Sequence, residues 1–134
     1  ACEQDARWHP EGCVYNHIKL VFEYADRVFP NDGALLAAAI FHDLGKPETF
    51  VEKDGKITNH AHEYASLKFI NEYFDLFSDL STDKEKVVAI CKNHMRAHLY
   101  DSGRMSRSVK RAAFEAEKYF DDIMKFRTCD ENGR

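Results

Sequence analysis

The chain has 134 residues, of which 44% are apolar and 31% charged, which suits one domain with a real hydrophobic core and excludes a disordered segment. Only three prolines and six glycines favour helices over a turn-rich all-β fold, and a net charge of −4 excludes a general nucleic-acid coat, which needs a basic excess. Cys2, Cys13, Cys91 and Cys129 form no C-x-x-C pair and read as reduced thiols of a cytoplasmic protein, and no apolar run approaches the roughly 18 residues that span a bilayer.

Residues 1–12 read as an irregular lead-in with a turn at Trp8-His9-Pro10-Glu11-Gly12. Val14, Ile18, Val21, Phe22, Ala25 and Val28 recur at helical spacing, predicting a helix from Cys13 to Val28 or Phe29 with His17 on the same stripe. Phe29-Pro30-Asn31-Asp32-Gly33 breaks it, and Asn31 or Asp32 can cap a second helix. There Leu35, Ala38 and His42 are in phase, and Gly45 and Pro47 end the helix. Asp54-Gly55 between two β-prone runs predicts a small hairpin over residues 49–59. A third helix runs from His60 or Ala61 to Phe77, with His62, Ser66, Phe69, Tyr73 and Phe77 in one row beside Ile70 and Phe74. Thr82 and Glu85 have capping-box spacing and open a fourth helix, in which Val87, Cys91, His94 and His98 share a face. Tyr100 to Arg104 reads as a loop, and Ser106 or Ser108 as the cap of one last helix. Its stripe is Val109, Ala112, Ala116, Tyr119, Ile123 and Phe126, and the next step is Asp130. The whole is read as a single domain over residues 1–134, stand-alone or a piece of a longer protein, since no initiator Met opens it.

His17, His42, His62, His94 and Asp130 each fall on the apolar face of a different predicted helix. Five inward polar groups are costly unless they converge and share something, and a helical bundle with inward His and carboxylate side chains is a recurrent metal cage. His42-Asp43 is the centre of that reading: an imidazole and a carboxylate on adjacent residues, at the end of an apolar run, need a cation. Asp121 and Asp122 compete with Asp130 but lie off the stripe, and Asp101 is a reserve carboxylate.

His9-Pro10-Glu11-Gly12, His17, Phe41-His42-Asp43-Leu44-Gly45-Lys46-Pro47, His62 opening a helix, the His94/His98 pair and the run from Phe120 to Asp130 resemble the HD-domain metal-dependent phosphohydrolases. Within that superfamily the ordered set is most similar to the HD domain of bacterial tRNA nucleotidyltransferases. The resemblance covers nearly the whole chain. It implies an all-α HD-domain helical bundle in which His17, His42, Asp43 and Asp130 bind a divalent metal ion, namely Mn, Ni, Co, Fe, Zn or Mg. It further implies that His62 and His94 contact substrate phosphate or hold a second metal, with His98 beside them or at the mouth of the cleft.

The chemistry implied is hydrolysis of a phosphate mono- or diester, a nucleotide or cyclic nucleotide, by metal-activated water, with Asp43, Lys46, His62 and His94 as the catalytic side chains. Lys46, after a glycine turn, can reach a phosphoryl oxygen; the plainer reading is a solvated helix-end lysine. Arg104, Arg107, Lys110 and Arg111 form a local basic cluster, either a solvated face or a docking surface for nucleotide or RNA phosphates. Two other readings stand beside the hydrolase: a non-catalytic, metal-stabilised RNA- or nucleotide-binding module, and a di-iron oxygenase on the same scaffold. No Gly-Ser followed by paired Asp occurs, so nucleotide addition does not follow from the resemblance.

Overall fold

The structure, a computed structural model, describes residues 14–44, 50–53, 56–59, 62–76, 83–105 and 107–133. The expectations for His9, Gly45, Lys46, Pro47, His60 and the side chain of His62 concern positions outside what is described. Six helices and one hairpin make up the described residues, in agreement with an all-α bundle carrying a small ribbon.

α1 spans Val14–Val28 and buries His17, Val21 and Ala25 along one line, four residues apart, while Tyr15, Leu20 and Val28 face out. α2, Gly33–Phe41, starts at Asp32, whose carboxylate accepts the Leu35 N–H at 3.2 Å. Every residue from Ala34 to Ala39 is buried, as is Phe41. A helix apolar all round belongs in the middle of a bundle, and its alanines let neighbours approach closely. α2 is indeed that central helix, packed against α1 and against the three helices α3, α4 and α6 defined below. It ends at Phe41, with His42 to Leu44 in a turn, ahead of the Gly45 and Pro47 expected to stop it.

β1, Phe50–Lys53, pairs antiparallel with β2, Lys56–Asn59, with Val51 opposite Thr58. α3 covers His62–Tyr73 and tightens into a 3-10 turn over residues 74–76. Its buried line runs through Ser66 and Ile70, whereas Tyr73, expected in the inward row, is 46% exposed. α4, Lys84–Asp101, is capped by Asp83, whose carboxylate accepts the Glu85 N–H at 2.9 Å; Thr82, the expected cap, lies outside the described residues. A carboxylate is at least as good a cap as a hydroxyl and here lies one residue closer to the helix. α4 also runs through Tyr100 and Asp101, which were expected in a loop. It stops at Gly103, where φ is +74°, a left-handed value that glycine adopts without strain.

The expected last helix is two: α5, Ser108–Glu115, and α6, Phe120–Asn132. Ser108 is the first residue of α5 and Arg107 occupies the cap position, without a side-chain cap bond, while Ser106, the other expected cap, lies outside the described residues. The break has a packing cause. Phe114 and Phe120 both close on Tyr100, with ring centroids 5.4 and 5.6 Å away, and on each other at 5.4 Å. Six residues apart on one continuous helix, the two rings would point to different faces. Releasing the helix at residues 116–119 lets both reach Tyr100, and it leaves Val109 77% exposed and Ala112 exposed, off the expected stripe. From Ile123 onward the stripe holds: Ile123, Phe126 and Asp130 are buried. α6 packs along α4 and α1, which closes the bundle around α2.

Candidate metal centre

The site grows from the C-terminal end of the central helix. There the His42 main-chain N–H closes the last turn of α2 on Ala38 O at 2.9 Å, and the His42 ring adds a second bond: its Nδ1–H is shared between Ala39 O at 2.9 Å and Ala38 O at 3.1 Å. The Ser66 hydroxyl, from α3, donates to the His42 carbonyl at 2.9 Å and holds the same turn from outside. With Nδ1 committed, His42 Nε2 points into the bundle, where the ring is fully buried against Phe126 at 4.9 Å.

His17, in the second turn of α1, is fixed by the same device. Its Nδ1 donates to Gly133 O at 3.1 Å, and its Nε2 lies 3.4 Å from His42 Nε2. Two carboxylates meet this pair. Asp43 Oδ2 stands 3.3 Å from His42 Nε2 and 3.4 Å from His17 Nε2. Asp130 Oδ1 stands 2.7 Å from His17 Nε2 and 3.4 Å from His42 Nε2. Asp43 is 2% exposed, so water does not shield these contacts.

His94 and His98, one turn apart on α4, contact the two carboxylates from their far sides. His94 donates Nδ1–H to Cys91 O at 2.6 Å and presents Nε2 to Asp43 Oδ1 at 3.7 Å. His98 Nε2 donates to Asp130 Oδ2 at 2.9 Å and is 23% exposed, at the rim of the cluster.

Both inner imidazoles therefore give their one certain proton to the main chain and turn Nε2 towards carboxylate oxygens. Electron-rich atoms facing each other in a dry interior demand a cation between them. Without a metal ion, protons fill the role. Burial alone would lower the His42 pKa, but Asp43 and Asp130 outweigh it and push His42 up to about 10. Burial would raise Asp130, but hydrogen bonds from His17, His42 and His98 hold its carboxyl well below the usual carboxylate range. A divalent ion also fits most of this donor set. Donors about 2.1 Å from one ion lie about 3.4 Å apart at a tetrahedral angle, close to four of the separations found here, 3.3–3.4 Å, whereas His17 Nε2 and Asp130 Oδ1, at 2.7 Å, stand at hydrogen-bond distance and would have to part for both to bind one ion. His17, His42 and Asp43 offer atoms all within 4.8 Å of one another, a group that can hold a metal ion.

The remaining candidates fall elsewhere. Asp121 and Asp122 lie in the first turn of α6, and Asp101 pairs with Arg127 at 3.4 Å. Arg104, Arg107, Lys110 and Arg111 are exposed at the α4–α5 corner. The sequence placed Ser66 and His98 on inward rows but assigned neither a specific partner. The signal for His98 was its spacing of four from His94, which puts both rings on one face of α4.

The family profile described as HD domain matches residues 14–121, a span that holds His17, His42, Asp43, His94 and His98 and stops short of Asp130. Among curated proteins the chain is similar to the Multifunctional CCA protein of Janthinobacterium sp. (strain Marseille), 27% identical over 98% of this chain and 32% of that protein. It is also similar to those of Stenotrophomonas maltophilia, 29% identical over 75% of this chain and 24% of the relative, and Xanthomonas oryzae pv. oryzae, 30% identical over 71% and 23%. The chain thus spans about a third or less of the length of the relatives it matches. No solved structure matches it. These matches agree with the resemblance drawn from the motifs, and with the geometry above they lead to one conclusion: the chain belongs to the HD domain family.

Proposed function

We propose that the protein is a metal-dependent phosphohydrolase acting on a phosphate mono- or diester, a nucleotide or cyclic nucleotide, with His17, His42, Asp43 and Asp130 as metal ligands. One observation carries the reading: two imidazoles whose Nδ1–H groups are taken by main-chain carbonyls bring their Nε2 atoms within 3.4 Å of each other among carboxylate oxygens. Mn, Ni, Co, Fe, Zn and Mg all suit such a mixed nitrogen and oxygen set. When bound, a divalent ion supplies Lewis acidity and acidifies water towards neutral pH.

The chain's own residues supply orientation and proton handling. Asp43 keeps Oδ2 among the imidazoles and turns Oδ1 towards His94, so one carboxylate serves the ligand set and orients the attacking water. His94, with Nδ1–H anchored on Cys91 O, can hold at Nε2 a proton released beside Asp43. His98 steadies the second oxygen of Asp130. Lys46 and His62 contact the substrate phosphate in this reading, a role that rests on the motif resemblance; alternatively His62 and His94 hold a second ion.

Similarity to proteins named Multifunctional CCA protein supports a nucleotide or RNA partner. So does charge. Arg96, Lys118 and Arg127 each have a carboxylate partner, whereas Arg104, Arg107, Lys110 and Arg111 have none among the described residues. A binding module that uses these four cations and keeps its metal for structure is the second reading.

Hydrolysis assays on generic phosphomonoesters, 2′,3′-cyclic nucleotides and nucleotides, each with added Mn, Ni or Mg, separate the two. The hydrolase reading expects turnover with at least one metal and its loss in Asp43→Ala. Metal-loaded protein that hydrolyses nothing but binds an RNA oligonucleotide, with affinity lost on charge reversal at Arg104 and Arg107, would replace it with the binding module. Iron-dependent oxidation in place of hydrolysis would point to the oxygenase.

A further inference from the structure

Both nitrogens of His17 are held by the same helix end. Asp130 Oδ1 meets Nε2 at 2.7 Å, and three residues on, Gly133 O accepts Nδ1–H at 3.1 Å. The second contact exists because the α6 terminus lies directly on α1, over the turn between His17 and Val21. Glycine is needed there for space and not for its dihedral angles, since φ is −88°. A Cβ on Gly133 would stand 2.3 Å from Val21 Cγ2, 2.9 Å from Val21 N and 3.1 Å from Val21 Cα. Val21 is fully buried, so its side chain cannot swing away into solvent. Ordinary contact begins near 3.4 Å, so a methyl group would drive the helix end off α1 by about 1 Å, twice the tolerance of about 0.5 Å within which a metal-binding set keeps its geometry.

We propose that Gly133 is a positioning residue for the metal centre. Its missing side chain seats the end of α6 on α1, its carbonyl fixes which nitrogen of His17 faces the cluster, and Asp130 is carried in register with it. The inference rests on the reading of His17 and Asp130 as ligands. A ligand imidazole oriented by a carbonyl on its other nitrogen loses affinity by about 10- to 100-fold when that partner is lost.

The test compares wild type, Gly133→Ala, Val21→Ala and the double variant by two readouts. Chelator competition with Ni or Zn gives metal affinity, and NMR of the metal-free protein gives exchange of the His17 Nδ1 proton. Gly133→Ala should bind metal about 10- to 100-fold more weakly and lose its slowly exchanging Nδ1 proton. Val21→Ala alone should stay near wild type, and in the double variant, where the shortest clash is gone, both readouts should recover in part. Wild-type behaviour of Gly133→Ala, a double variant no better than the single, or an Nδ1 proton that exchanges freely in wild type would each overturn the proposal. The proton readout needs no metal. A wild type that binds no ion yet shows the protected proton would therefore sink the ligand reading while leaving the seat of Gly133 on His17 intact.

Discussion

Imidazoles at this site carry two different duties on their two nitrogens, and that division sets the pH behaviour. His42 is pushed from its ordinary 6.5 up to about 10 when no metal is present, because Asp43 and Asp130 outweigh its burial. A raised folded-state pKa adds stability that is full below about 6.5 and lost as pH climbs through about 10. Asp130 works in the opposite sense. Its depressed pKa adds stability that is present above its ordinary 3.8 and lost as pH falls through the folded value. Metal-free protein should therefore lose thermal stability steadily between about pH 7 and 10, while the metal-bound form, whose Nε2 atoms carry no proton to lose, should not. Calorimetry in chelator and in excess Ni across that range checks it, and parallel profiles would refute the assignment. His98 allows a second check. It shares Asp130 with the inner pair, so His98→Ala should weaken metal binding by about 10-fold without unfolding the chain, as read by the same chelator competition. Burial of His17, His42, His94 and Asp130 was legible from phase alone, because each sits on an apolar helical stripe. The His98–Asp130 bond and the Gly133 seat were not, because they depend on how two helix ends meet, which spacing within one helix does not encode.

At the scale of elements, some local signals were read well, although the cap of α5 and the end of α4 were misplaced, and tertiary ones were read poorly. Asp32 before an apolar run, and Asp54-Gly55 between two β-prone runs, are local chemistry, and α2 and the hairpin sit where those residues put them. Asp32→Ala should cost about 1 kcal/mol of stability through the lost Leu35 N–H bond, measurable by urea unfolding. The division between α5 and α6 has no proline or glycine to announce it. It comes from the packing of Phe114 and Phe120 on Tyr100, with the Arg96 guanidinium over Phe114 at 4.9 Å. Phe114→Ala should accordingly cost about 3–5 kcal/mol, as for other fully buried aromatic rings. A loss under about 1 kcal/mol would mean that this cluster does not hold the corner together.

Across the whole molecule, one short apolar helix organises everything else. α2 is sheathed by α1, α3, α4 and α6, so its C-terminal end delivers His42 and Asp43 to the one place where α1, α4 and α6 can each add a side chain. The bundle and the centre are thus one design, and the central claim is that the centre binds a divalent ion. Equilibrium dialysis of the purified chain against Mn, Ni, Co and Zn, followed by elemental analysis, tests it most directly. Wild type should retain at least one ion per chain, and folded His42→Ala and Asp43→Ala proteins should retain none. A wild type that holds no ion, or variants that hold as much as wild type, would contradict the account.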